Sequence, residues 1–318
     1  MVSNPSIRLF LILTLAALAC GLPNPMPASP IPSDQTKNAT VPVFETTQAP
    51  QAPTTALEDV AQLRDAHYQL GTPDSLQIVQ LADGKFEQGT PGSADFISVQ
   101  VTDFVAAGDL NADGVDEVVA LISENYGGTG VFVFLAVYLN VNGALTFQTS
   151  SIVDDRPQLN ALSIENSEIF LEATIHGFEE PMCCPTLRTT RHYRLSEGGQ
   201  LDMTDYTTFT PDGRPRTITI ESPANGSEVF SSVQIKGSVA IAPFENNLTY
   251  SIQDVGGIEL ARGAISVSAA DAGAPGTLEA VILLGNILSG AVIKLEVQDV
   301  SAADGSLFAM DSVELVVK

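Results

Sequence analysis

Tryptophan is absent from this 318-residue sequence, which has only three histidines and three cysteines. Its 14 basic residues are outnumbered by 38 acidic ones, for a formal net charge of −24. Such a charge argues against binding to nucleic acid or to anionic lipid surfaces, because both require basic patches. The catalytic motifs G-x-S-x-G, H-E-x-x-H and the P-loop are also absent. The sequence therefore predicts a protein that is not an enzyme.

Long apolar runs are scarce as well. The run Leu9–Ala19 is shorter than the roughly 20 residues that a transmembrane helix needs. It follows Arg8 and ends with small residues at Ala17 and Ala19, which is typical of a secretory signal peptide over residues 1–19.

The residues around the cleavage point, Ala17-Leu18-Ala19-Cys20, resemble the bacterial lipobox. That resemblance implies lipid on Cys20 and a partner membrane, so we expect an extracytoplasmic protein anchored to the bacterial cell membrane or cell surface. The alternative is ordinary signal-peptidase cleavage, which leaves a free thiol at the mature N-terminus.

Residues 20–56 lack the composition of a folded core. They are rich in Ser, Thr, Ala, Gln and proline, which predicts an extended tether. The prolines are Pro23, Pro25, Pro27, Pro30, Pro32, Pro42, Pro50 and Pro53.

Beyond the tether the chain is predicted to be mainly β. Apolar residues at helical spacing over 57–70 predict a leading helix, which Gly71 and Pro73 end. Runs rich in Val, Ile, Leu and Phe then predict strands, so we expect a β-rich (α+β) domain over 57–210. The segment 210–216 (TPDGRPR) is predicted as a hinge. The strands are expected at 75–81, 96–104, 117–123, 131–141, 159–164, 169–175, 186–195 and 200–206.

The last hundred residues alternate between apolar and polar side chains, as in Ile293-Lys294-Leu295-Glu296-Val297. About seven short strands over residues 217–318 predict an immunoglobulin-like β-sandwich. They are expected at 218–221, 233–239, 248–254, 259–267, 278–284, 291–298 and 313–318.

This C-terminal segment also resembles the immunoglobulin-like domain of bacterial spore germination proteins, which implies a sandwich on an exported protein. The resemblance depends on Ser222, Pro223, Gly226, Val229, Ile235, Gly237, Phe244, Glu245, Asp254, Gly257, Leu260, Gly263, Val297, Asp299 and Gly305.

One motif has the chemistry of a metal site. The spacing D-x-N-x-D-G places oxygen side chains at alternate positions of a tight loop, and Ca²⁺ prefers six to eight such oxygens. Asp109, Asn111 and Asp113 are predicted ligands through side chains, Val115 through its carbonyl, and Glu117 would close the shell. The alternative is an acidic turn that binds nothing.

The loop is not an EF-hand, because Ala120 stands at loop position twelve where that motif needs Glu. It resembles instead the calcium loops of FG-GAP and related repeats, which lie between strands. The single copy does not imply a propeller.

With Cys20 lipidated, Cys183 and Cys184 are the remaining thiols. In an oxidising compartment they could form a vicinal disulfide, and the alternative is two buried thiols. A third interpretation is a soft-metal site that adds His176 and His192. The segment around them resembles an uncharacterised domain of bacterial lipoproteins with a C-C-P-T signature.

Three arginines follow this segment on one predicted strand. Strand geometry places Arg188 and Arg194 on the same face as His192, and Arg191 on the opposite face. They form either an anion or carboxylate site near Gly127-Gly128, or charge partners for the domain's own acids; we favour the second.

We therefore expect a non-enzymatic, surface-anchored lipoprotein that has a binding or cell-envelope structural role, with a cell-envelope component or a protein as its ligand. One alternative is a cell-wall-directed enzyme or inhibitor with a site near Cys183, Cys184, His176 and His192. Another is a protein associated with sporulation or germination.

Overall fold

The structure is a computed structural model that describes residues 60–71, 77–196 and 198–318. The predicted signal peptide, Cys20 and the tether lie outside these residues. The described residues form twenty strands, one helical turn at 60–63 and a 3-10 turn at Phe244–Asn246. No helix among them is long and apolar enough to cross a bilayer. The predicted mainly β fold is confirmed.

The leading helix is shorter than the 57–70 expected. It ends at residue 63 and is followed by two short antiparallel strands, β1 (His67–Gln69) and β2 (Ile78–Gln80). Within β1 the exposed His67 alternates with the fully buried Tyr68, as strand geometry requires. Residues 67–69 thus pair as a strand where the sequence predicted the second half of the helix.

A five-stranded antiparallel sheet lies at the centre of the N-terminal part. Its strands are β3 (Lys85–Gln88), β4 (Ile97–Gly108), β5 (Glu117–Asn125), β6 (Phe132–Val141) and β7 (Ala144–Asp155), paired in chain order. Both faces of β5 are covered. Val118, Ala120 and Ile122 face the core under β1 and β2, while Val119 and Leu121 face a second core.

The second core is closed by an antiparallel run of four strands, β8 (Gln158–Glu165), β9 (Glu168–Ile175), β10 (Leu187–Leu195) and β11 (Leu201–Phe209). Ile169, Leu171 and Ala173 of β9 contribute to it and are fully buried. The N-terminal part therefore has three layers, with the five-stranded sheet in the middle.

The segment predicted as a hinge is a hairpin turn instead. Gly213 N–H donates to the Thr210 carbonyl at 2.8 Å, and β12 (Pro215–Arg216) pairs antiparallel with the end of β11. Gly213 has a φ of 83°, which glycine adopts without strain. The turn-forming Pro211-Asp212-Gly213 explains why the chain reverses here.

The C-terminal part is a sandwich of two sheets around one apolar core. One sheet contains β13, β15 and β18, the other contains β16, β19 and β20, and β17 pairs with strands of both. The predicted immunoglobulin-like sandwich is confirmed. Its strands are β13 (Ile218–Ser222), β14 (Ser227–Val229), β15 (Ser232–Val239), β16 (Asn247–Asp254), β17 (Glu259–Ala269), β18 (Gly276–Leu283), β19 (Val292–Val300) and β20 (Leu307–Val317).

The two parts are joined by strand pairing. The start of β20 pairs antiparallel with β11, with Asp311 opposite Asp205 and Met310 opposite Tyr206. The sheet is thus continuous from β8 into the sandwich. The predicted domain limits at 210 and 217 remain a prediction.

Candidate functional site

The predicted calcium loop connects two central strands. It begins after Gly108, the last residue of β4, and ends at Glu117, the first residue of β5. Ala112 and Gly114 have φ values of 60° and 86°, so the chain turns sharply twice. The open space beside Gly114 shows that its conformation, rather than crowding, favours glycine there.

The carboxylates of the loop accept hydrogen bonds from its own backbone. Asp109 Oδ1 accepts from Asp113 N–H at 3.2 Å, and Asp109 Oδ2 accepts from Gly114 N–H at 3.0 Å. Asp113 Oδ1 accepts from Val115 N–H at 2.8 Å. These bonds hold the acidic side chains over the turn.

Glu117 extends the cluster into the protein interior. It is only 1% exposed, and its Oε2 accepts from Leu110 N–H at 2.9 Å. The amide Nδ2 of Asn111 lies 3.0 Å from Asp113 Oδ2 and 3.5 Å from Glu117 Oε1. Burial raises the pKa of Glu117, the hydrogen bond from Leu110 lowers it, and repulsion by Asp113 raises it further.

Four predicted ligands, Asp109, Asn111, Asp113 and Glu117, thus form one network, whereas Val115 contributes a backbone N–H and an exposed side chain. Their oxygens suit a hard cation. In this conformation, however, the oxygens face N–H groups. Within the described ranges, no three or more acidic, His or Cys side chains are grouped in a way that could hold a metal ion.

The two cysteines lie on the connection between β9 and β10. Cys183 and Cys184 are both free and exposed, so the expectation of buried thiols is wrong and a vicinal disulfide is not formed in this structure. The loop is held by Glu180, whose Oε2 accepts from Gly177 N–H and from Thr186 N–H, each at 3.0 Å. A hydrogen bond to Cys183 raises the pKa of Cys184.

The two histidines of the predicted enzyme site are not brought together. His176 Nδ1 lies 2.9 Å from Asp154 Oδ2, and its buried Nε2 has no hydrogen-bond partner among the residues that the structure describes. His192 Nδ1 lies 3.5 Å from Asp205 Oδ1 farther along β10. His192 lies opposite Phe170, which is six positions before His176, so the histidines are separated by roughly 20 Å along the strands. The four-residue site near Cys183 and the soft-metal site are therefore not assembled.

The arginines on β10 follow the expected alternation. Arg188 Nε lies 2.7 Å from Glu172 Oε1, and Arg194 Nη2 lies 2.7 Å from Glu168 Oε1. Arg191 points to the other face, where it is buried and donates to the Val153 carbonyl at 3.3 Å. Arg188 and Arg194 thus balance the domain's own acids and Arg191 binds a backbone carbonyl, so the alternative of an anion site near Gly127-Gly128 is not formed by them.

A buried carboxylate that the sequence did not single out lies on β5. Glu124 is fully buried, and its Oε1 accepts from Tyr68 Oη at 2.5 Å and from Gly71 N–H at 2.9 Å. Tyr126 Oη donates to its other oxygen. Burial first, and the charge of Glu124 second, raise the pKa of Tyr68. The contact between Tyr68 and Glu124 joins positions 56 residues apart, so no local pattern in the sequence could have identified it.

Part of the C-terminal sandwich matches a known family. Residues 217–306 match the family model described as the immunoglobulin-like domain of bacterial spore germination. The resemblance expected for the C-terminal sandwich is therefore confirmed over these residues. No curated protein matches the chain.

Proposed function

We propose that this chain is a non-enzymatic lipoprotein of the bacterial cell surface, anchored through lipid on Cys20, with a binding or cell-envelope structural role. The anchor rests on the lipobox-like sequence Ala17-Leu18-Ala19-Cys20. The observation that supports the binding or structural role is the pairing of β11 with β20, which makes one sheet of the N-terminal part and the sandwich. Such a joint suits a protein that must present two surfaces at a fixed relative orientation.

Side chains reinforce this joint at three points. Thr208 Oγ1 donates to the Phe308 carbonyl at 2.7 Å, and Ser312 Oγ donates to the Thr204 carbonyl at 3.0 Å. Lys294 Nζ donates to the Met203 carbonyl at 2.8 Å. Because each bond crosses from one part to the other, opening the joint would break all three as well as the strand pairing.

The anchoring half of the proposal is tested by fractionation and intact mass. The native chain should sediment with membranes and carry acyl mass on a residue-20 N-terminus, whereas Cys20→Ser should be released in soluble form. A native chain that retains residues 1–19 in the cytosol would contradict the proposal.

We further propose that Ca²⁺ binds the loop 109–117 as a structural ion and stabilises it. Support comes from the buried Glu117 carboxylate, which faces Asp113 across the Asn111 amide. Asp109, Asn111, Asp113 and Glu117 would hold the ion through side-chain oxygens, and Val115 through its carbonyl. Binding to the folded state would then add stability by mass action.

A cell-wall-directed enzyme or inhibitor remains the second candidate, favoured by the His176–Asp154 contact and the partnerless Nε2 of His176. Replacement of both cysteines by serine separates the two functions. A binding or structural protein should lose only stability, whereas loss of a cell-wall activity in a folded variant would favour the enzyme.

The match of residues 217–306 favours a third candidate, a role in sporulation or germination. Spores of a strain that lacks the gene should then germinate more slowly than wild-type spores. Unchanged germination would remove this candidate.

A further inference from the structure

A cavity of about 500 Å³ opens beside β12, where the chain enters the sandwich. Its lining includes Arg216, Phe244, Asp299 and Phe308, together with the last residue of β19 and residues 301–303 of the connection to β20. Neighbouring residues on either side of Arg216 line a different cavity. This follows from the alternation of side chains along an extended segment.

Two opposite charges in this cavity are incompletely satisfied. The side chain of Asp299 is 9% exposed, and its Oδ2 lies 4.0 Å from Arg216 Nη1, beyond hydrogen-bond distance. Among the residues that the structure describes, neither side chain has a hydrogen-bond partner. Burial raises the pKa of Asp299, and the charge of Arg216 opposes that rise. Within the part of the chain that the structure describes, the carboxylate thus has no hydrogen-bond donor and the guanidinium has no acceptor.

Phenyl rings form two walls of the cavity. The guanidinium carbon of Arg216 lies 4.7 Å from the ring centroid of Phe308. Phe244 is 73% exposed and precedes Glu245 and Asn246, which both have a φ of 55°. Two consecutive non-glycine residues in the left-handed region store strain, which folded proteins often retain where a ligand is held.

We infer that this cavity binds a small zwitterion, such as a free α-amino acid with an apolar side chain. Its ammonium group would donate to Asp299, its carboxylate would accept from Arg216, and its side chain would lie against Phe244. Charge-assisted hydrogen bonds of this kind are stronger than neutral ones, and the volume is in the range of small-molecule sites. Because the site contains one negative and one positive side chain, a ligand with a single charge would leave either Asp299 or Arg216 without a partner.

The inference goes beyond the anchoring and structural role proposed above and does not depend on it. It is tested by calorimetric titration of the full chain with L-phenylalanine, phenethylamine and 3-phenylpropionate. Phenylalanine should bind at least about tenfold more tightly than either compound with one charge. Equal binding of phenethylamine would mean a cation site, and absence of phenylalanine binding would mean a structural ion pair only; either result overturns the inference.

Substitutions of the residues that line the cavity test whether phenylalanine binds there. Asp299→Asn and Arg216→Gln should each weaken phenylalanine binding at least about tenfold, and Phe244→Ala should weaken it several-fold. Phe230→Ala is the matched control, because Phe230 is 68% exposed and lies outside the cavity lining. Asp299→Asn removes a buried charge and should leave the chain folded, which circular dichroism checks. Binding that survives in folded Asp299→Asn would contradict the assignment.

Discussion

Strands β5 and β15 bury their side chains in different ways. In β5 the residues from Glu117 to Ile122 are all buried, because a core lies on each face of the central sheet. In β15 the buried Val233, Ile235 and Gly237 alternate with exposed or half-exposed residues, because one face of the sandwich meets solvent. The stretch 117–122 of β5 should therefore be sensitive to substitution at every position, whereas β15 should be sensitive at every second one.

Core truncations should give the largest effects and test this contrast directly. Leu121→Ala and Ile122→Ala are adjacent substitutions on opposite faces of β5, and each should cost about 2–5 kcal/mol of unfolding free energy. In β15, Ile235→Ala should cost a similar amount, but Gln234→Ala should change stability by less than about 0.5 kcal/mol. Urea denaturation measures all four. A mild effect of either β5 substitution would contradict the claim that both faces of β5 are packed in a core.

The buried carboxylates of β5 and of the sandwich also differ in their partners. Glu124 in β5 accepts hydrogen bonds from hydroxyl and backbone N–H groups, whereas Glu296 in the sandwich forms an ion pair with Lys294 Nζ at 2.8 Å. Tyr68→Phe should cost about 1.5–3 kcal/mol, because it removes a buried hydrogen bond to a charged group. Urea denaturation again provides the measurement.

The control for that substitution is Tyr250→Phe in the sandwich, whose hydroxyl makes no hydrogen bond among the described residues. It should change stability by less than about 0.5 kcal/mol. Equal losses of unfolding free energy for the two substitutions would show that the hydrogen bond from Tyr68 to Glu124 does not stabilise the fold.

The joint between the two parts should respond to pH. Burial is the main cause that raises the pKa of Asp311 to about 6, and the charge of Asp205 on the paired strand adds to it. Because the folded state holds this proton more tightly than the unfolded chain, stability should decline as pH rises from about 4 to about 6. The loss should be on the order of 2 kcal/mol.

Thermal melts between pH 4 and 8 test this prediction. The decline should be smaller in Asp311→Asn, which cannot ionise, than in the wild-type chain. His192 is a separate contributor, because its hydrogen bond to Asp205 raises its pKa above the ordinary 6.5. Its stabilisation should therefore be lost at higher pH than that of Asp311. Parallel pH profiles for wild type and Asp311→Asn would contradict the assignment to Asp311.

The smallest expected effect concerns the calcium loop, which lies in the N-terminal part only. Calcium at one to ten times its Kd should add about 0.4–1.4 kcal/mol to the stability of the folded state. Asp113→Asn should remove this gain, whereas Asp271→Asn, on the exposed connection between β17 and β18, should retain it. Superimposable thermal melts with calcium and with chelator would exclude stabilisation of the loop by calcium.

The sandwich was more predictable than the N-terminal part because its strands alternate clearly, as in β19. Strand β7 was missed because its sequence, ALTFQTSSIVDD, is largely polar and its residues are mostly half-buried. The short strands β3 and β14 were also not predicted, because three or four residues are too few to show the alternation of apolar and polar side chains. The Asn142-Gly143 pair between β6 and β7 is of the type that favours a hairpin turn, and both residues have positive φ.

Contacts between residues that are close in sequence are easier to predict than contacts between distant residues. The hydrogen-bond network of the loop 109–117 joins neighbours along the chain, so their spacing indicates that they meet, whereas calcium binding there stays a prediction. The contact between Tyr68 and Glu124 spans 56 positions, and the joint depends on strand register between β11 and β20. Neither arrangement leaves a local pattern in the sequence.

The continuous sheet is tested most directly by differential scanning calorimetry of the chain from residue 57 to 318. One cooperative transition, with the calorimetric enthalpy equal to the van't Hoff enthalpy, is the predicted result. Two separate transitions, one of which coincides with the melting of an isolated 217–318 fragment, would show that the β11–β20 pairing does not couple the two parts.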